Sequence, residues 1–507
     1  MTNILIGAVV FSIWFVTLFF EKSIGLSMLL YVLPLASYII YILRKNKKEQ
    51  NSNAKFLIIP IIILASTYFI YNNSFFKVTN ILVILILIAI MILEILNRNV
   101  LVDFISLKKV FYVFFKPLYY LDEVFDKLTK YFKEKLKINT SNVNKGKTSQ
   151  IIKAMCVTIP LILIILVLLS TADDAFGNIF VNIFEGIISF FKEFMFKSLI
   201  ERILSTIGVF VYLICLFYSI CSKNEKENGI KKIEIKDNFT IKMILACLNI
   251  IYLVFCTIQI KSLFLQSGDI NYASYARKGF FQLMAVSIIN LVTILVAKKS
   301  ESIEDKKSNK YINSMSLIMV IFTFIILISA TIRMYNYESA YGYTLLRLLV
   351  YCTLFTEGIL LIPTSMFILD KKVKLVQTYF CIVLLVYIGM NFANFDNLIA
   401  KRNIDRYFET GKIDIDYLVQ STGTDAVEQI ARILEESLDM SEETNYVYKN
   451  GNRRSQRYEK NFSVLEETKD YLKDTYTDLK YEKMDYRDFN LSKYFAKKEL
   501  KKLKNEF

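Results

Sequence analysis

Apolar runs of about twenty residues recur from the N-terminus to Phe392, divided by short polar breaks, and within each run the apolarity is continuous rather than alternating. At 1.5 Å of rise per residue, about twenty residues match the ~30 Å hydrocarbon core of a bilayer. Lipid offers no partner for backbone N–H and C=O groups, so only helices or closed barrels can cross it, and unbroken apolarity selects the helix. Spans are expected at 3–20, 23–43, 56–72, 78–96, 151–171, 204–220, 240–262, 280–297, 315–335, 346–369 and 376–393. The expected fold class is all-α: a polytopic transmembrane helix bundle of about eleven spans with a small helical extracytoplasmic C-terminal region. Only Glu21 and Lys22 separate the first two spans, which predicts a tight helical hairpin. Pro34, Pro60, Pro160 and Pro363 fall inside spans, where neighbouring helices can satisfy the carbonyls they free.

The pattern changes three times. Residues 104–137 mix aromatics with lysines at helical spacing, and the apolar part around Pro117 is too short to span. Such a helix either lies in the inner membrane interface or packs on the cytoplasmic face of the bundle. Residues 172–203, opening ADDAF and rich in phenylalanine, suggest an outer-interface or re-entrant helix. After Ala393 the chain turns charged and tyrosine-rich, and DAVEQIARILEESL and VLEETKDYLKDTYTDL repeat apolar residues at helical spacing. TGKIDIDYL and the patch at Asn450–Gln456 read as turns. The expected organisation is a four-helix membrane segment (1–96), a cytoplasmic amphipathic basic linker (97–150), a membrane core of seven spans (151–393) and an extracytoplasmic helical tail (394–507).

Charge sets the orientation. RKNKKEQNSNAK, the lysine-rich 97–150 segment, CSKNEKENGIKKIEIKD, KKSESIEDKKSNK and DKKVK follow the second, fourth, sixth, eighth and tenth spans, and the alternate loops carry few lysines or arginines. By the positive-inside pattern the N-terminus is cytoplasmic and the tail lies outside a bacterial plasma membrane. The net charge of +15 is thereby explained as topology, and nucleic acid is not an expected partner. The first span has no basic lead or small-residue cleavage motif, so it reads as a retained helix. Hydrophobic residues make up 54% of the chain. With no histidine the commonest transition-metal ligand is missing, and the seven cysteines sit in or beside apolar spans without a CxxC pair, so no metal or other cofactor is expected.

Charged residues at membrane depth are costly and face bundle interiors or cavities. Topology gathers Asp173, Asp174, Asp269, Arg277, Arg333, Glu338 and Arg347 near the outer face, with Glu357 deeper. Together they form a candidate outward-facing polar site, in which arginines would hold an anion or headgroup and carboxylates would serve as partners or proton acceptors. The competing reading has the aspartates pairing with Arg277 or Arg333 to fix helix order, or the end-of-span charges reaching water. Glu357 is the candidate for a proton-coupled or pairing role. Asn249, Gln282 and Asn290 suit inter-helix hydrogen bonds, and Tyr272, Tyr275, Tyr335, Tyr337, Tyr341 and Tyr343 an interfacial belt. No Walker loop, GxSxG, HExxH or CxxC occurs, and no catalytic residue is assigned.

YARKGFFQLMAVSIINL, with STADDAF (170–176), RMYNYESAYGYTLLRL (333–348), NFANFDNLIAKRNIDRYFETGKIDIDYL (391–418) and DYRDFNLSKY (485–494), resembles bacterial integral-membrane proteins of domain-of-unknown-function family 4173. The resemblance makes Arg277, Arg333, Tyr341, Arg347, Asn403 and Arg406 matched motif positions, and Gln282 departs from the glutamate common there. It implies no activity. The function expected is an outward-facing, ligand-binding, transporter-like or accessory component of the cell envelope. Its expected partners are the lipid bilayer, an envelope lipid or small-molecule ligand, and a protein bound through the tail. The alternatives are a membrane-embedded group transferase using Asp173 or Asp174 as base, and a non-enzymatic signalling or scaffolding subunit.

Overall fold

The computed structural model describes residues 2–46, 48, 51–96, 108–136, 197–221, 238–265, 280–299, 306–370, 372–444, 454–482 and 485–503. Every regular element among them is helical: α1 (Thr2–Phe19), α2 (Leu26–Lys45), α3 (Ile58–Ile70), α4 (Ser74–Ile95), α5 (Lys108–Tyr119), α6 (Leu121–Leu136), α7 (Lys197–Cys221), α8 (Asn238–Leu265), α9 (Phe280–Lys299), α10 (Lys306–Tyr341), α11 (Leu345–Leu369), α12 (Leu375–Phe392), α13 (Phe395–Thr410), α14 (Ile415–Ser421), α15 (Val427–Thr444), α16 (Arg454–Tyr481) and α17 (Leu491–Lys502), with short 3-10 turns at Ser52–Leu57 and Thr424–Ala426. Nine described helical stretches are long and apolar enough to cross a membrane, and Gln282–Lys298 is a shorter apolar helix. These ten correspond to ten of the expected spans, and the expected span 151–171 lies outside the described residues. The chain is a multi-pass helical membrane protein.

The chain divides into two compact units. The first comprises residues 1–61, 85–100 and 107–226. Here α1 packs along α7 and against α2. Gly7 permits the approach of the α1–α2 hairpin, since a Cβ there would meet the Tyr38 ring at 2.2 Å, and the Tyr38 hydroxyl donates to the Asn3 carbonyl at 2.6 Å. The linker expected at 104–137 forms two helices, α5 and α6, that pack on α7. The Tyr218 hydroxyl of α7 donates to Glu123 at 2.5 Å and accepts from Lys127, both on α6. The described residues 108–136 of this segment thus pack on α7.

The second unit comprises residues 62–84, 101–106 and 227–507. Helices α8 to α11 bury Leu245, Ile294, Met319, Ala330, Leu354 and Ile368 against one another. Helices α13 to α17 build a second core around Ile399, Ile404, Leu418, Ile430, Leu434, Leu472 and Leu500, which also takes in Phe76 of α4 and Leu348 of α11. The two helical motifs of the tail become α15 and α16, whereas IDYL belongs to α14 rather than to a turn. Gly411 at φ 67° ends α13, and Asp414 caps α14 by accepting from Tyr417 N.

Candidate functional site

The described residues of the second unit include three polar clusters, two at connections between helices and one in the interior of α8–α11. The first is the turn between α10 and α11. Gly342 takes φ 82°, a left-handed conformation that spares glycine the usual cost. Asn403 of α13 brackets the next residue: it accepts from Tyr343 N and donates to Tyr343 O, each at 2.8 Å. Arg406 donates to Ala340 O at 2.7 Å, and the Tyr417 hydroxyl accepts from Leu345 N at 2.8 Å. Arg347 donates to Gly342 O and lies 4.5 Å above the Tyr337 ring. Glu338 is buried, and Tyr343 is pushed up to about 12 by burial, with its hydrogen bond to Glu338 adding to the rise. The motif RMYNYESAYGYTLLRL is thus the seat on which the first tail helix docks.

The second cluster surrounds the connection between α3 and α4. Asn72 N would ordinarily complete the last turn of α3 by bonding Tyr68 O, but it donates instead to Asp425 at 2.6 Å. Tyr68 O is supplied from elsewhere: Asn490 Nδ2 donates to Tyr68 O and to Tyr71 O, both at 2.9 Å. The same side chain caps α17, its oxygen accepting from Lys493 N at 3.0 Å. Asp396 accepts from Asn73 Nδ2 at 2.6 Å and from Gly423 N at 3.0 Å. Burial pushes the Asp396 carboxyl up to about 6, and burial likewise lifts Asp425 above the usual carboxylate range. Below them Tyr387 donates to Asn80, and Asn80 donates to Asn391, each at 2.6 Å. Lys77 donates to Asn72 Oδ1 at the rim of this network. The cavity lined by Lys77, Asn73, Asn80, Asn391 and Asp425 holds only about 20 Å³, room for one water. Its size makes the cluster an anchor for the tail rather than a ligand chamber.

The third cluster lies in the interior of α8–α11. Glu357 is 5% exposed; one carboxylate oxygen accepts from Ser287 of α9, and the other has no hydrogen-bond partner among the described residues. One turn along α9, Asn290 donates to Thr323 of α10 at 3.0 Å and accepts from the Tyr252 hydroxyl of α8 at 2.6 Å. Asn249 donates to Met315 O at 2.9 Å. At the far end Lys298 donates to Asn313 at 2.7 Å and to Ile368 O at 3.0 Å. One face of each helix therefore carries polar groups toward a shared interior, as amides in membrane bundles do.

Of the residues read from the sequence as one outward site, Asp173, Asp174, Asp269 and Arg277 lie outside the described residues. Glu338 and Arg347 meet at the α10–α11 turn without an ion pair between them, and Arg333 stands about two helical turns before it. Glu357 is apart from these, roughly 15 Å along α11 from Arg347. Missing from the sequence reading were Lys77, Asp396, Asp425 and Asn490. Their available signals were the paired asparagines at 72–73, Asn80 within an apolar run, and a lysine at a span mouth.

A family model described as "Domain of unknown function (DUF4153)" matches residues 58–433, well over half of the chain. This corrects the resemblance to family 4173: the motifs at 170–176, 275–291, 333–348 and 391–418 fall within the matched region of a differently numbered family, and DYRDFNLSKY lies beyond it. No curated protein and no solved structure matches the chain.

Proposed function

The chain belongs to the DUF4153 family, and from that premise we propose that it is a plasma-membrane protein that handles an envelope-associated ligand in transporter-like fashion, entering at the end where the tail docks. The observation that carries this reading is Glu357. A carboxyl inside a span is costly, and it is kept where a bundle interior or a water-filled path uses it. Among the described residues it has one serine partner, with no hydrogen bond to its second oxygen, next to a ladder of polar side chains on the facing helices. Those features suit a group that exchanges a proton or contacts a passing ligand.

The probe is a bilayer-soluble carbodiimide, which captures carboxyl groups shielded from water. Peptide mapping of the full chain should find the adduct on Glu357 and lose it in Glu357→Gln. A Glu357→Gln chain that inserts normally and complements a deletion strain as well as wild type would overturn the reading. The orientation, tail outside, is supported by the five basic loops and by the docking of the tail on the 71–73 and 342–344 connections, which that topology assigns to the outer side. A cysteine at position 455 (Ser455→Cys) should react with an impermeant thiol reagent in intact cells; protection there sinks the orientation. A scaffolding role draws on the exposed rings of Tyr481 and Tyr486 in the tail. Full complementation by the Tyr481→Ser, Tyr486→Ser double variant removes that second reading.

A further inference from the structure

A cleft of about 390 Å³ runs between the end of α3 and the tail, in the range of small-ligand sites. Its floor begins at Ile70, the last residue of a span, and Tyr71. Hydrocarbon gives way to headgroups at that depth. The opposite wall is α17, which presents Phe495, 59% exposed, together with Lys498 and an ion pair between Lys502 and Glu499 at 2.6 Å. The carboxylates of Asp425 and Glu428 and the amides of Asn394 and Asn397 complete the lining. A lysine on one wall, Lys498, and carboxylates on the other, Asp425 and Glu428, sort a ligand by sign. A purely anionic headgroup would meet the carboxylates of Asp425 and Glu428, and a purely cationic one the ammonium of Lys498.

We propose that this cleft binds a zwitterionic phospholipid headgroup bearing a primary amine, with its phosphate toward Lys498 and its ammonium toward Asp425 and Glu428. Lys498 supplies a point charge for phosphate. The carboxylates supply acceptors that an ammonium can satisfy by donating hydrogen bonds, which a trimethylammonium cannot. Tyr71 and Phe495 flank the cleft with ring surface suited to the glycerol and upper acyl region. The cleft is rigid on its inner side because Asn490 ties α17 to the carbonyls of Tyr68 and Tyr71. The proposal deepens the reading of an envelope ligand at the docked end, and it makes no use of Glu357.

The experiment takes the full chain in detergent and titrates it with short-chain phosphatidylethanolamine, phosphatidylcholine and phosphatidylglycerol, reading retained lipid by native mass spectrometry. Phosphatidylethanolamine should be retained about tenfold more tightly than either of the others. Glu428→Gln and Lys498→Ala, both at exposed positions, should each erase most of that preference while the lipid-free melting temperature stays unchanged. Equal retention of the three lipids, stronger retention of phosphatidylglycerol, or a preference that survives both substitutions overturns the proposal. A Glu357→Gln chain that keeps the lipid preference separates failure of the transporter-like reading from failure of this one.

Discussion

Asn490 offers the sharpest test of how the tail is held. Three hydrogen bonds depend on its side chain: two from Nδ2 to the last carbonyls of α3 and one from Lys493 N to Oδ1 at the start of α17. The residue is 1% exposed, so water cannot replace them without opening the contact. Asn490→Ala removes an N-cap worth about 1 kcal/mol and leaves two buried carbonyls unpaired at about 1 kcal/mol each. The sum, about 3 kcal/mol, is about two decades in the equilibrium for releasing α17. Hydrogen exchange of peptides covering residues 491–502 should therefore accelerate roughly a hundredfold. Asn490→Ser separates the contributions. Serine keeps the cap but does not reach both carbonyls, so it should lose about 2 kcal/mol and fall between alanine and wild type. Exchange in the alanine variant within about threefold of wild type would refute the reasoning. So would a serine variant indistinguishable from wild type, because the carbonyl bonds would then contribute nothing.

Docking of the tail should also depend on pH through Asp396. Its folded value of about 6 stands above the ordinary 3.8, so the folded chain holds a proton that the unfolded chain releases. Stability is then greatest below about pH 4, falls as pH rises toward 6 and levels above it, a range of up to about 3 kcal/mol, with Asp425 acting in the same direction. In urea melts of the full chain, Asp396→Asn should flatten that slope by close to one proton; an unchanged slope counts against the assignment. Gly342→Ala places a Cβ 2.4 Å from Asn403 Oδ1 at a φ of 82°, and thermal unfolding should show a loss of at least about 2 kcal/mol. Arg347→Lys gives up the guanidinium stacked on Tyr337 and should lower stability by about 1 kcal/mol, a change that a Tyr337→Leu background should reduce; an undiminished change there counts against the stacking.

The helices themselves were legible in the chain. Lipid leaves the backbone no outside partner, so a span has to be helical and its apolar length can be read directly. Periodicity served as well for α15 and α16, where Ile430, Leu434 and Leu472 recur on the buried face. Charge in the loops carried the proposed orientation for the same reason, since it acts through counts rather than contacts. What polar residues do once folded was not legible. Arg347 and Arg406 have the composition of anion ligands, yet they serve the carbonyls of Gly342 and Ala340. Asn490 meets Tyr68 across 422 positions of sequence, and Asp425 meets Asn72 across 353. Hydropathy acts residue by residue and survives in one dimension. A hydrogen bond needs a donor and an acceptor within about 3 Å of each other, and only the packing of α3, α4, α13 and α17 brings these pairs to that distance.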